Sequence, residues 1–295
     1  MSALSGPGAI NVLRWELFKL ARRRASYVGF WLCLAFVVVV LVGFQLSSFR
    51  GLRRFAKNLP IDPLALVNGP FFANFILLIG FFALLPLLAA TLAGSQLAGE
   101  AREGTLRALL VRPPSRPTIY LAKVAASYLW LQGVTFFLVG LALLVGRVAL
   151  GGGSLLVFVW EQRAQGPWLA STADWVPMLA VASVGAALSL FVIASLAMML
   201  SALVDTPVVA HVGCLGAFFI SSVLQRLPPE LLDPDLKDLL PTTHMNFWHE
   251  LYRLWRPGGG FDAARFWGDV AWCGGFTAVF LAVGLYAFTR RDVTS

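Results

Sequence analysis

The residues whose types come closest to a metal site are His244, His249 and Glu250, in the last third of the chain. On a helix, the two histidines are five residues apart, so their rings point about 140° apart. They therefore cannot share one metal ion as an i, i+4 pair would. A polar helix face explains these residues better, and the sequence predicts no metal site.

The sequence contains no motif for holding a nucleotide. GxxxxGK[ST] does not occur, and the glycines at 151–153 are followed by Ser154 and Leu155, with no lysine to meet phosphates. We expect no cofactor bound by this chain and no enzymatic activity of its own. If ATP drives the protein, another chain hydrolyses it.

Two polar residues inside apolar runs are candidates for intramembrane contacts, His211 and Gln132. Ionisable groups within a bilayer are functional candidates by default. Each side chain serves either a proton or substrate contact or a hydrogen bond between helices.

The composition requires an apolar solvent around much of the chain. Of its 295 residues, 58% are hydrophobic and only 13% are charged, and the mean hydropathy is +0.77. Soluble domains have about 25% charged residues. The net charge of +8 does not point to nucleic acid, because Lys and Arg mostly flank apolar runs and would meet lipid headgroups there.

The apolar runs predict an all-α integral membrane protein forming one domain, 1–295. Its six spans would cover residues 27–46, 71–97, 119–145, 175–200, 207–224 and 266–288. An even number of spans puts both termini on one side. Nearly equal numbers of Lys and Arg on the two sides leave the orientation undecided by charge, and arginines next to the terminal spans favour cytoplasmic termini.

An amphipathic helix over residues 8–24 precedes the first span. Its apolar stripe consists of Ile10, Leu13, Leu17, Leu20 and Ala21. The pattern predicts a helix lying at the membrane surface.

The longest segment between spans, 225–265, predicts short helices on the outer side. One helical stripe would contain Phe247, Trp248, Leu251, Tyr252 and Trp255. Such aromatics suit the headgroup boundary. The alternative is that this segment packs onto the spans.

The stretch 100–123, EAREGTLRALLVRPPSRPTIYLAK, is a polar interruption between spans two and three. Gly104 can adopt a positive φ and end the helix leaving span two, and Thr105 can cap a new helix. Pro113 would stop that helix, and Ser115 can cap the next one. The sequence predicts a helix over 105–112 that contacts another protein or, alternatively, forms an elbow on the membrane surface. Its apolar face would consist of Leu106, Leu109 and Leu110.

E-x-x-E-G-T-L, followed by leucines, a Pro-Ser-Arg step and a lysine, resembles the exporter-type (type-2) permease subunits of ATP-binding cassette transporters. The matching positions are Glu100, Glu103, Gly104, Thr105, Leu106, Leu109, Leu110, Pro114, Ser115, Arg116 and Lys123. In that family the segment is the coupling helix, which docks into a groove of the ATPase. The resemblance implies an ATPase-coupling interface formed by Glu100, Glu103, Gly104, Thr105, Leu106, Leu109, Leu110, Arg112, Arg116 and Lys123.

The same resemblance implies a membrane-spanning subunit of an exporter in a bacterial cytoplasmic membrane. Its partners would be a separate ATPase subunit, which holds ATP and Mg, and a second permease copy or a paralogue. Two alternatives are a membrane-embedded enzyme and a non-transporting scaffold. A secondary transporter would show broken, charge-bearing spans, which the sequence does not predict.

Overall fold

The computed structural model describes residues 7–46, 67–105, 115–157 and 168–290, and this part of the chain is mostly helical. Its helices are α1 (Pro7–Arg22), α2 (Arg24–Leu46), α3 (Gly69–Phe82), α4 (Leu84–Gly94), α5 (Ala98–Arg102), α6 (Arg116–Leu150), α7 (Trp175–Leu203), α8 (Pro207–Gln225), α9 (Pro234–Asp238), α10 (Pro241–His244), a 3₁₀ helix (Met245–Trp255) and α11 (Ala263–Arg290).

Five of the described helices are long and apolar enough to cross a membrane: α2, α6, α7, α8 and α11. The bent pair of α3 and α4 makes a sixth if it is one span. The described chain thus has the make-up of a multi-pass membrane protein. Helix α6 extends beyond the predicted 119–145 at both ends, and its 35 residues are about 52 Å long.

The continuous helix predicted over 71–97 is broken in the structure. Helices α3 and α4 meet at Ala83 with a bend of 50°. Pro86, in the first turn of α4, has no N–H to donate to the Phe82 carbonyl, and its ring crowds that carbonyl. The expectation of unbroken spans is therefore wrong here, although α3 and α4 carry no charged side chain.

A pair of short antiparallel strands departs from the all-α prediction. Strand β1 (Leu155–Val157) pairs with β2 (Trp168–Ala170), with Leu156 opposite Leu169. All three β1 residues are buried. Pairing satisfies backbone N–H and C=O groups that would otherwise be buried without partners. For this reason the apolar connection between α6 and α7 forms two paired strands.

Helix α7 is central, with α4, α6, α8, α11 and the 3₁₀ helix packed against it. We call the end of the bundle that carries α1, α5 and the first turns of α6 the α1 end. The opposite end, with the strands and residues 226–262, is the distal end.

At the distal end the 3₁₀ helix packs into the bundle, so its predicted place at a lipid interface is wrong. Trp248 is fully buried against Phe81 of α3, with ring centroids 5.3 Å apart. The Tyr252 hydroxyl donates to Asn74 Oδ1 of α3 at 2.6 Å. Gly185 of α7 permits this approach, because a Cβ there would lie 2.6 Å from a Leu251 methyl. The alternative of packing onto the spans is confirmed.

A second link at the distal end joins α10 to α11 through His244. Its Nδ1 lies 2.7 Å from Asp269 Oδ1, its Nε2 lies 2.8 Å from the Asp238 carbonyl oxygen, and its ring stacks on Trp272. The carbonyl can only accept, so Nε2 carries a proton. The hydrogen bond to Asp269 raises the pKa of His244, although burial opposes it, and the Asp238 carbonyl adds to the rise.

We expect Tyr252→Phe to lower the free energy of unfolding by about 1–3 kcal/mol, because the buried Asn74 oxygen loses its donor. Thermal unfolding in detergent micelles measures the change. Tyr27→Phe is the matched control, because Tyr27 is exposed. Equal stability of the Y252F variant and the wild type would contradict a stabilising link between the 3₁₀ helix and α3.

The His244 link should make stability depend on pH. A raised folded-state pKa contributes stability that is complete below the ordinary value of about 6.5 and lost as pH rises through the folded value. We expect the wild type to lose up to about 1 kcal/mol over that rise, whereas His244→Gln should show a flatter profile. Unfolding measured from pH 5.5 to 8.5 tests this, and parallel profiles for the two proteins would refute it.

Candidate functional site: a buried charge cluster

Four charged side chains from three elements meet at the α1 end. Lys123 Nζ of α6 lies 2.6 Å from Glu100 Oε1 of α5 and 3.1 Å from Glu16 Oε2 of α1. Lys19 Nζ of α1 lies 2.6 Å from the same Glu100 oxygen and 2.8 Å from Glu16 Oε1. We call these residues, Glu16, Lys19, Glu100 and Lys123, the charge cluster. Two carboxylates and two ammonium groups balance its formal charge.

Helix α1 reaches the cluster because its leucines pack inward. Leu13, Leu17 and Leu20 contact Leu92 of α4 and residues of α6, including Ala126. This face also carries Glu16, which follows Leu13 by three residues and precedes Leu20 by four. The predicted apolar stripe therefore meets the other helices rather than lipid, except for Ile10 and Ala21, which are exposed.

Burial makes the pairing of Lys123 and Glu16 obligatory. Lys123 has 0% of its side chain exposed and Glu16 has 1%, whereas Lys19 has 31%. A lone ammonium or carboxylate in such surroundings is strongly destabilising, and only close counter-charges compensate. Helices α1, α5 and α6 must therefore stay together for these charges to remain paired.

The electrostatics of the more accessible members agree with this pairing. Burial by itself raises the pKa of Glu100, but the charges of Lys123 and Lys19 and their hydrogen bonds outweigh it, so this pKa lies below its ordinary value. Burial likewise lowers the pKa of Lys19, but Glu100 and Glu16 outweigh it and the result is a rise. Both groups stay charged near neutral pH.

Further contacts brace the same end of the bundle. Arg23, between α1 and α2, donates from Nη1 to Ser95 Oγ at 3.0 Å. Ser201 Oγ of α7 accepts from the backbone N–H groups of Leu97 and Ala98, at 3.1 and 2.9 Å, where α5 begins. These bonds satisfy backbone donors that the start of a helix leaves free, and they join α5 to the central helix.

A family model described as "Protein of unknown function (DUF2705)" matches residues 36–294. The chain belongs to the DUF2705 family. No curated protein matches the chain. Glu100 and Lys123 lie within the matched part, whereas α1, with Glu16 and Lys19, precedes it.

In this DUF2705 chain the predicted helix break after α5 is present. Gly104 has φ of +69°, in the left-handed region that favours glycine. Glu103 before it is exposed. The Thr105 hydroxyl donates to the Glu100 carbonyl at 3.3 Å, so it helps to close α5. Leu106, Leu109, Leu110, Arg112 and Pro114 lie outside the described residues, as does most of the predicted helix 105–112.

The chain resumes as predicted, with Ser115 at the N-cap position of α6. Its hydroxyl pairs with that of Thr118 at 2.9 Å. Arg116 donates from Nη1 to the Thr289 carbonyl near the end of α11, at 3.0 Å. Lys123, which the resemblance assigns to a partner contact, is buried inside the chain. Its direct contacts are therefore with Glu16 and Glu100, and its effect on a partner would come through positioning.

His211 and Gln132 are not members of the charge cluster: His211 lies in α8, and Gln132 lies in α6, nine residues after Lys123. The His211 ring of α8 lies against Gly94 of α4, where a Cβ would be 2.6 Å from the ring. Gln132 Oε1 accepts from Tyr128, one turn earlier in α6, at 3.4 Å. Both side chains make contacts within the bundle. Among the described residues, no group of three or more His, Cys, Asp or Glu could hold a metal ion.

Glu16 and Lys19 are the members of the cluster that the sequence interpretation missed. A signal was present, because Lys123 follows the start of the predicted third span by only four residues. A lysine in an apolar helix requires a counter-charge. The single acid of α1, spaced i, i+3 from Lys19, was the available partner.

The two lysines provide a matched comparison, since both contact Glu100 at 2.6 Å but differ in burial. We expect Lys123→Met to lower the free energy of unfolding by about 3–5 kcal/mol. In that variant Glu16 and Glu100 would share Lys19, which is partly exposed, as their remaining counter-charge. Lys19→Met should cost about 1 kcal/mol or less. Unfolding in detergent micelles measures both variants, and equal losses would contradict the buried pairing.

Proposed function

We propose that this protein is the membrane-spanning permease subunit of an ATP-driven ABC exporter, working with a separate ATPase subunit and a second permease copy or a paralogue. The single observation that carries the proposal is the charge cluster beside the stretch with the E-x-x-E-G-T-L motif. Glu100 begins that stretch and Lys123 ends it, and an ion pair of 2.6 Å joins the two side chains.

A segment that receives force from an ATPase needs rigid attachments on both sides. Before residues 106–114, α5 is fixed to Lys123 by Glu100 and to α7 by Ser201. After them, α6 is fixed to α11 by Arg116. A push on the segment would therefore reach α1, α6, α7 and α11 together, which is the movement that opening a pathway requires.

The surface around the segment is suited to a protein partner. Arg102, Glu103 and Thr105 are exposed and polar, and the sequence itself has no P-loop. In this proposal ATP and Mg are held by the partner on the cytoplasmic side, so the α1 end is cytoplasmic. The contribution of this chain is mechanical, and it binds no cofactor.

Gly104 gives a test that separates backbone conformation from side-chain size. A side chain there would meet no atom within 4 Å, but φ is +69°. Gly104→Val should strain the turn by about 1–3 kcal/mol and reduce stimulated ATP hydrolysis about tenfold. Gly104→Asn is the matched control, because asparagine tolerates this conformation, and this variant should retain stimulated ATP hydrolysis.

Glu103→Lys should weaken ATPase binding by reversing an exposed charge.

The measurements are co-purification of an ABC ATPase with the full-length chain and ATP hydrolysis after reconstitution in proteoliposomes. The proposal predicts that a nucleotide-binding subunit co-purifies with the wild type. It fails if no such subunit is found, or if G104V and E103K both form the complex and stimulate hydrolysis as the wild type does.

A further inference from the structure

The outward face of α1 carries aromatic rings and cations along one stripe. Trp15 has 58% of its surface exposed and Phe18 has 50%, and their rings stack with centroids 6.0 Å apart. The Arg22 guanidinium lies over the Phe18 ring at 4.8 Å. Arg14 is also exposed, one helical turn before Phe18. This arrangement, Arg14, Trp15, Phe18 and Arg22, is the outward stripe.

The charge of this face is determined by what α1 buries. Its single acidic residue, Glu16, is buried and paired with Lys123 and Lys19. Lys19 and Arg23 also point toward the bundle, to Glu100 and Ser95. The charged groups left on the outward stripe are therefore arginines, without an acid among the described residues of α1 to neutralise them.

The stripe continues into an exposed, largely apolar surface of α2. One residue separates α1 from α2. Only 17% of the most apolar part of α2 is buried within the chain. Tyr27, Val28 and Trp31 of α2 are more than half exposed. Aromatic side chains favour the boundary between headgroups and acyl chains, and arginines beside them are placed to meet negative headgroups.

We propose that the outward stripe of α1 is a binding surface for anionic phospholipid headgroups, with Trp15 and Phe18 inserted at the boundary and Arg14 and Arg22 contacting phosphate. This inference concerns a lipid partner and does not depend on the proposed transport function. It differs from the sequence prediction in the face used, since the leucine stripe packs inward.

The test uses the full-length chain in vesicles of equimolar phosphatidylcholine and phosphatidylglycerol. In one preparation only the phosphatidylglycerol acyl chains are brominated, and in the other only those of phosphatidylcholine. Bromine quenches nearby tryptophan, and the difference between the wild type and Trp15→Phe isolates the emission of Trp15. We expect stronger quenching by brominated phosphatidylglycerol than by brominated phosphatidylcholine, corresponding to about fivefold local enrichment of phosphatidylglycerol for each arginine. This difference between the two lipids should decrease at high salt.

The double variant Arg14→Gln with Arg22→Gln should remove the headgroup preference while leaving Trp15 quenched. Arg226→Gln is the matched control, because Arg226 also lies over a phenylalanine ring, that of Phe82 at 5.7 Å, immediately after α8. It should keep the preference. Three results would overturn the proposal: equal quenching by both lipids, no quenching by either because water or a protein covers the face, or a preference that survives in the double variant.

Discussion

The cost of burying charge dominates the α1 end of this protein. Lys123 lies in an apolar helix with no exposed side-chain surface, and it remains charged only if carboxylates from α1 and α5 stay within about 3 Å. These two carboxylates come from different helices. The three helices α1, α5 and α6 are therefore held in one arrangement, which fixes where the stretch between α5 and α6 begins and ends.

The distal end is held by different means. There the 3₁₀ helix is buried through Trp248 and Tyr252, Gly185 of α7 provides space for its close approach, and one hydrogen bond to Asn74 fixes it to α3. The many weak dispersion contacts of these buried rings add to that hydrogen bond.

Local signals in the sequence were sufficient for the five long apolar helices, the break at Gly104 and the start of α6 after Ser115, because each depends on composition or on backbone preference within a few residues. The bend at Ala83 could not be predicted from hydropathy, which indicates one long apolar helix. Predicting it requires the effect of Pro86 on the helix hydrogen bonds. The inward docking of α1 and the burial of the 3₁₀ helix depend on partners tens to hundreds of residues away. An amphipathic helix has an apolar face in either setting, so its pattern cannot distinguish lipid from protein.

The separation of Glu16 from Lys123 has a consequence for biosynthesis. They are 107 residues apart, so a ribosome adding about 5–20 residues per second makes the lysine roughly 5–20 s after the glutamate. During that interval Glu16 has Lys19 as its counter-ion but lacks Lys123, so α1 has no complete docking site. The helices before α6 must therefore enter the membrane before α1 is fully docked, and complete docking of α1 requires α6.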